Sequence, residues 1–130
     1  MTVGNHEFDD RPEVLKGFTS ATDFPILMSN ADISSEPLLT DAIQKSVVIE
    51  KGGEKIGLIG LTPEDTDERA SPGPNVTFTD PVAAVQAEVD KLTAEGVNKM
   101  IVLSHSGFGT DQRVAEGTTG VDVIVGGHSN

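Results

Sequence analysis

A chain of 130 residues is one domain's worth of polypeptide, long enough to bury a core but short for an enzyme that must also enclose a large substrate. Its formal charge of -12 disfavours nucleic acid and anionic membranes as partners and otherwise reads as solvated surface, while the absence of cysteine excludes disulfides and thiolate metal sites. With 36% hydrophobic residues, 5 Phe and neither Trp nor Tyr, the core must come from Val, Ile, Leu and Ala, which suits a sheet covered by helices.

The chain opens on Met1-Thr2-Val3-Gly4-Asn5-His6-Glu7-Phe8-Asp9-Asp10, where ionisable and metal-competent side chains crowd behind a short apolar start. Such an opening is expected of a chain that begins inside a longer one. Asp10 as cap, Pro12 in the first turn and Gly17 near the stop predict a helix over 11–18. Strands are predicted over 24–31 and 42–50, the second around the β-branched run Val47-Val48-Ile49.

Gly52-Gly53 predicts a hairpin into a strand over 54–61, Lys55-Ile56-Gly57-Leu58-Ile59-Gly60-Leu61, expected to be buried on both faces. Residues 62–79 hold three prolines and many acids and read as a surface loop. Asp80-Pro81 then starts a helix whose Val82, Val85, Val89 and Leu92 share a face before Gly96. A strand over 99–104, a short helix over 110–116 and a strand over 121–125 predict a parallel pair with a right-handed crossover. No apolar run approaches the roughly 18 residues of a membrane helix, and no charged-then-apolar leader is visible.

Both strands of that pair run into a histidine, in Leu103-Ser104-His105-Ser106-Gly107 and Val125-Gly126-Gly127-His128-Ser129-Asn130. In open α/β sheets the carboxyl ends of strands converge on one crevice, so His105 and His128 are expected to be neighbours. Taken singly each is more readily a surface or hydrogen-bonding residue; together, in Gly-rich strand-terminal motifs, they point to one site. Neutral imidazole and amide oxygen suit borderline divalent cations such as zinc or manganese, and a close pair of such cations suits phosphoryl transfer. His128 and Asn130, two apart, would point the same way on an extended backbone and could serve one metal each. Asn5 offers an amide oxygen, and His6 a proton or a donor to a phosphoryl oxygen, with Asp9 placed to bond its other nitrogen. Glu7 reads as a structural carboxylate. A serine nucleophile, Ser106 or Ser129, is the weakest reading, because no Gly-x-Ser-x-Gly elbow is present.

Gly4-Asn5-His6-Glu7-Phe8-Asp9, Ser29-Asn30-Ala31 and the two histidine blocks, in this order, resemble the calcineurin-like metallophosphoesterases, in the branch of 5′-nucleotidases, UDP-sugar hydrolases and 2′,3′-cyclic phosphodiesterases. The resemblance extends along the whole chain, including Gly57-Leu58-Ile59-Gly60-Leu61-Thr62 and Ser71-Pro72-Gly73-Pro74. It implies an α/β fold of mixed sheets flanked by helices, with residues 1–130 a segment of the catalytic domain. It also implies two divalent metals, with Asn5, His105 and His128 on one, Asn130 on the other, and His6 with Asp9 as the catalytic dyad. Water or hydroxide activated by the metals would attack a phosphate ester of a nucleotide.

The family's Asp-x-His and Gly-Asp motifs, expected before Gly4, are absent from these 130 residues, as is the domain that holds the nucleobase. The expectation is therefore weak or no hydrolysis by the isolated chain, an exposed sheet edge that permits self-association, and a periplasmic or extracellular setting by family. The alternative is a non-catalytic metal-binding or interaction module that retains part of the fold.

Overall fold

The computed structural model describes residues 1–129. Its main sheet has four strands in the order β2-β3-β5-β6, with helices packed against it; β2 is Ser46–Lys51, β3 Glu54–Leu61, β5 Met100–Ser104 and β6 Val123–Val125. The first pair is antiparallel, closed at Lys51↔Glu54 by Gly52 and Gly53, whose φ values of 58° and 79° are those of a turn with two left-handed residues. The other two pairs are parallel, with Leu61 opposite Ser104 and Leu103 opposite Val125. That register brings the residues following β3, β5 and β6 to one edge of the sheet.

Helix α3 (Pro81–Ala94) begins where sequence places it, with the Ala83 N–H donating to Asp80 Oδ2 at 2.8 Å. It buries Val85, Val89 and Leu92 on Ile59, Leu61, Met100 and Val102, and α4 (Phe108–Gly117) adds Val114. Full burial of side chains of this size contributes about 1.5–3 kcal/mol each. Strand β3 is buried from Gly57 onward with Leu58 half-buried: Glu54 and Lys55 are exposed, whereas Ile59, Gly60 and Leu61 are inside.

A second core lies under the first half of the chain, formed by Val3, Phe8, Leu15, Ile26, Met28, Leu39, Ile43 and Val76. Its elements are short: a 3₁₀ turn at Asn5–Phe8, α1 at Arg11–Ala21, β1 at Ala31–Asp32 and, antiparallel to it, β4 at Thr77–Phe78. The strand expected over 24–31 is reduced to β1 and single bridges. Over 26–29 the backbone bonds in turn to Met1, Val3, Gln44 and Gly60, so no one partner runs alongside long enough to form a ladder. Likewise the strand expected from 42 starts at Ser46, because Ala42 and Ile43 donate back to Leu39 in a turn.

The segment 62–79 departs from a surface loop as well. It contains α2 (Thr66–Arg69) and β4, and it buries Thr62, Pro63, Thr66, Pro72 and Val76. Polar composition misleads there because the hydroxyls are satisfied inside: Thr62 Oγ1 donates to the Val3 carbonyl at 2.7 Å and Thr66 Oγ1 to the Pro63 carbonyl at 2.6 Å.

The two cores meet along the carboxyl half of β3. Asn30 Nδ2 donates to the Thr62 carbonyl at 2.7 Å and its Oδ1 accepts the Thr62 N–H at 2.9 Å, so one buried side chain mimics a strand partner. Ser29 donates both its N–H and its hydroxyl to the Gly60 carbonyl. A Cβ on Gly60 would lie 2.5 Å from the Leu27 carbonyl carbon, so only glycine permits this approach.

Candidate functional site

The 3₁₀ turn explains the arrangement of the first motif. At three residues per turn, side chains three apart eclipse. Asn5 and Phe8 accordingly both face inward, at 3% and 0% exposure, and Phe8 meets Phe78 edge to face at 6.0 Å. His6 and Asp9 both face outward, with His6 Nδ1 2.8 Å from Asp9 Oδ2. Glu7 reaches back to accept the Gly4 N–H at 2.6 Å, a structural use of that carboxylate.

This turn is held against the sheet edge through Val3, which the Thr62 hydroxyl grips, and through Gly4, on which a Cβ would stand 2.8 Å from the His105 ring. His105 follows β5 and its N–H donates to the Leu61 carbonyl at 2.8 Å. The His128 ring lies 5.3 Å from it, centroid to centroid, at 65°. Three stretches far apart in sequence thus bring Gly4-Asn5, His105 and His128 to one place, with the His6–Asp9 pair on the adjoining surface. Asn130 lies outside the described residues.

Burial, then the neighbouring His128, lowers the pKa of His105 below the usual histidine value, against an opposing pull from Glu7. That shift favours the neutral ring, which keeps a nitrogen lone pair for a ligand. The backbone at His128 is unusual: its φ is +74°, and the Ser129 N–H donates to the Gly127 carbonyl at 2.9 Å across it. An i to i+2 bond about a positive φ is a γ-turn of the strained kind, rare outside functional sites.

Among the described residues two buried side-chain atoms lack a hydrogen-bond partner, Asn5 Oδ1 and Ser106 Oγ. Both flank His105 or its neighbour Gly4. An orphaned buried acceptor costs about 1–3 kcal/mol unless something completes it. The donor set of one amide oxygen and two imidazoles fits one divalent cation. No group of three or more His, Cys, Asp or Glu is arranged to hold a metal among the described residues.

The other serines are engaged. Ser104 Oγ donates to Asp111 Oδ1 and accepts the Ser106 N–H, and Ser129 Oγ accepts the Phe108 N–H at 2.9 Å. A cleft of about 370 Å³ opens beside His128, with Ser106, Thr110 and Arg69 on its wall. A larger cavity of about 560 Å³ near Lys45 includes none of the candidate residues, and chemistry rather than size identifies the site. The residues to which the sequence alone assigns no role here are Thr62, Asn30 and Asp111. Asn30 was visible within Ser29-Asn30-Ala31, but nothing local assigned it a partner 32 residues away.

The family profile described as calcineurin-like phosphoesterase matches residues 1–130. The 5′-nucleotidase of Diplobatis ommata is 45% identical over 133 aligned positions, which cover all of this chain and 23% of that protein. A probable 5′-nucleotidase of Treponema pallidum is 39% identical, again across the whole chain and 22% of the relative. Among solved structures, a 5′-nucleotidase precursor from Thermus thermophilus superposes with a TM-score of 0.96 at 47% identity, covering 98% of this chain and 25% of that one. The NAD nucleotidase of Haemophilus influenzae does so at 0.89 and 35% identity, over 97% and 22%. The chain spans about a quarter of the length of these relatives. With sequence, sheet order and strand-end histidines all in agreement, this chain belongs to the calcineurin-like phosphoesterase family.

Proposed function

We propose that residues 1–130 are a catalytic-domain segment of a metal-dependent phosphoesterase acting on nucleotides, in which Asn5, His105 and His128 hold a divalent cation and His6 with Asp9 handles charge on the phosphoryl group. The observation that carries this reading is the unpartnered, buried Asn5 Oδ1, which follows directly on the Gly4 packed against the His105 ring of the His105–His128 pair. Family membership implies divalent metals, and zinc or manganese suits this nitrogen and oxygen donor set. Bound there, such a cation supplies Lewis acidity and lowers the pKa of water, giving a nucleophile at neutral pH. Asn130 is assigned to the second cation by resemblance alone.

Asp9 fixes the orientation of His6 by holding Nδ1, which leaves Nε2 directed away from the carboxylate and free for a phosphoryl or leaving-group oxygen. Because both side chains are exposed, they meet substrate without the protein having to open. The hydrophobic side of the same turn, Phe8, anchors the dyad in the second core. The nucleotidase names of the relatives support a nucleoside phosphate as substrate, and the -12 charge speaks against nucleic acid. Among the described residues no helix is long and apolar enough to cross a membrane. A periplasmic or extracellular setting follows the relatives, one of which is a precursor.

A second reading is a metal-binding module without turnover, which needs only the Gly4-Asn5, His105 and His128 stretches brought together as they are. Titration with zinc or manganese alongside phosphate release from a chromogenic ester and from a nucleoside monophosphate separates the two. Turnover that disappears in His6→Ala supports the enzyme; binding without turnover supports the module; no binding removes both. Self-association through the free edge of β6, where Val123 and Val125 are about half exposed, completes the proposal, and a sedimenting monomer would remove that part.

A further inference from the structure

The geometry points to Asp111, on the first turn of α4, as the positioning residue that sets the distance between His105 and His128. Its two carboxylate oxygens serve different loops. Oδ1 accepts the Ser104 hydroxyl at 2.5 Å, and that hydroxyl in turn accepts the Ser106 N–H at 3.0 Å, so the loop carrying His105 is pinned on both sides of the histidine. Oδ2 lies against Gly126, where a Cβ would stand 2.6 Å away, so the loop carrying His128 closes directly onto the same carboxylate. The helix contributes a second tie to that loop: the Phe108 N–H donates to Ser129 Oγ, which restrains the γ-turn centred on His128.

The strain at His128 supplies the reason for such a brace. A non-glycine residue at φ +74° reverts to a relaxed backbone unless its surroundings hold it. Gly127 packs on the Ser104 carbonyl and on the His105 ring, so relaxation of the turn would swing His128 away from its neighbour. Asp111 touches neither imidazole; it acts through Ser104 on one side and through contact with Gly126 on the other. The inference rests on the proposed function only for the identity of the ligand, since the spacing of the rings exists without metal.

The test uses the full chain with Asp111→Ala, Asp111→Asn and Ser104→Ala. In metal-free protein the readout is the through-space NMR contact between the imidazole protons of His105 and His128; in a separate titration it is calorimetric zinc affinity. Asp111→Ala and Ser104→Ala should lose the contact and weaken zinc about tenfold, whereas Asp111→Asn, which keeps the acceptor and the volume, should stay within about threefold. In the double variant of Asp111→Ala with Ser104→Ala the combined loss should be smaller than the sum of the two, because one of the two partners of Asp111 is already gone. A retained contact and unchanged zinc affinity in Asp111→Ala would overturn the proposal, as would additive losses in the double variant. Should Asp111→Ala fail to fold, Ser104→Ala and Asp111→Asn decide the matter by the same readouts. If wild-type chain gives the ring contact but binds no zinc, the metal reading fails and the positioning role stands.

Discussion

The two halves of the molecule solve the same problem by different means. The core beneath β3 and β5 is assembled from regular elements, where α3 and α4 lay apolar faces on parallel strands and backbone groups are satisfied by ladders. The core around Phe8 and Leu39 is assembled from turns and bridges, and its backbone groups are satisfied by distant segments and by buried side chains such as Asn30 and Thr62. The comparison shows how the candidate site is assembled. His105 and His128 sit on ends of the regular half, Asn5 and His6 on a turn of the irregular half, and neither half holds the set alone.

The largest expected effect comes from removing the centre of the irregular core. Phe8→Ala should cost about 3–5 kcal/mol in chemical denaturation. If the halves are coupled through β3, hydrogen exchange of the β5 amides will accelerate in step; protection of β5 unchanged from wild type would make them independent units. Next in size is Asn30→Leu, which leaves the N–H and C=O of Thr62 buried without partners and should cost roughly 2 kcal/mol or more. A loss below about 0.5 kcal/mol would mean that the Asn30 pairing does not hold the halves together.

Gly60→Ala tests the same join by steric means. Its new methyl meets the backbone of Leu27 rather than a flexible side chain, and about 1–3 kcal/mol of destabilisation is expected by thermal melting. Asn5→Leu sharpens the contrast between stability and function. The metal-free chain should keep or gain about 1 kcal/mol, because an unsatisfied acceptor is removed. The rise in melting temperature on adding zinc should disappear with it, and persistence of that rise would show that Asn5 is not a ligand. The smallest effect is at Arg11, which occupies φ +73° two residues after Asp9. Arg11→Gly relieves a left-handed strain partly offset by added chain entropy, for a gain of up to about 1 kcal/mol readable as a higher denaturation midpoint.

How much of this was legible in advance follows the same division. The hairpin at Gly52-Gly53, the helix opened by Asp80-Pro81 and the strand, helix, strand order that makes His105 and His128 neighbours all come from local signals: periodicity, caps and turn residues. They survive because the regular core reinforces local preference. The stretch over 26–30 reads as a strand by composition and is buried like one, yet its hydrogen bonds go to four separate segments. Composition reports that a residue wants burial; it carries nothing about which backbone will be opposite.

The same limit applies to the site. Residue types and order in Gly4-Asn5-His6-Glu7-Phe8-Asp9 and in the two histidine blocks determined by themselves the family, and with it the proposal of metal ligation and proton handling, because those tasks need particular functional groups. The inward turn of Asn5, the outward turn of His6 with Asp9, the spacing of the histidine rings and the brace at Asp111 were decided only in three dimensions. Each depends on contacts between segments dozens of residues apart, and the Thr62 hydroxyl that fixes the first motif to the sheet acts across 59 positions of sequence.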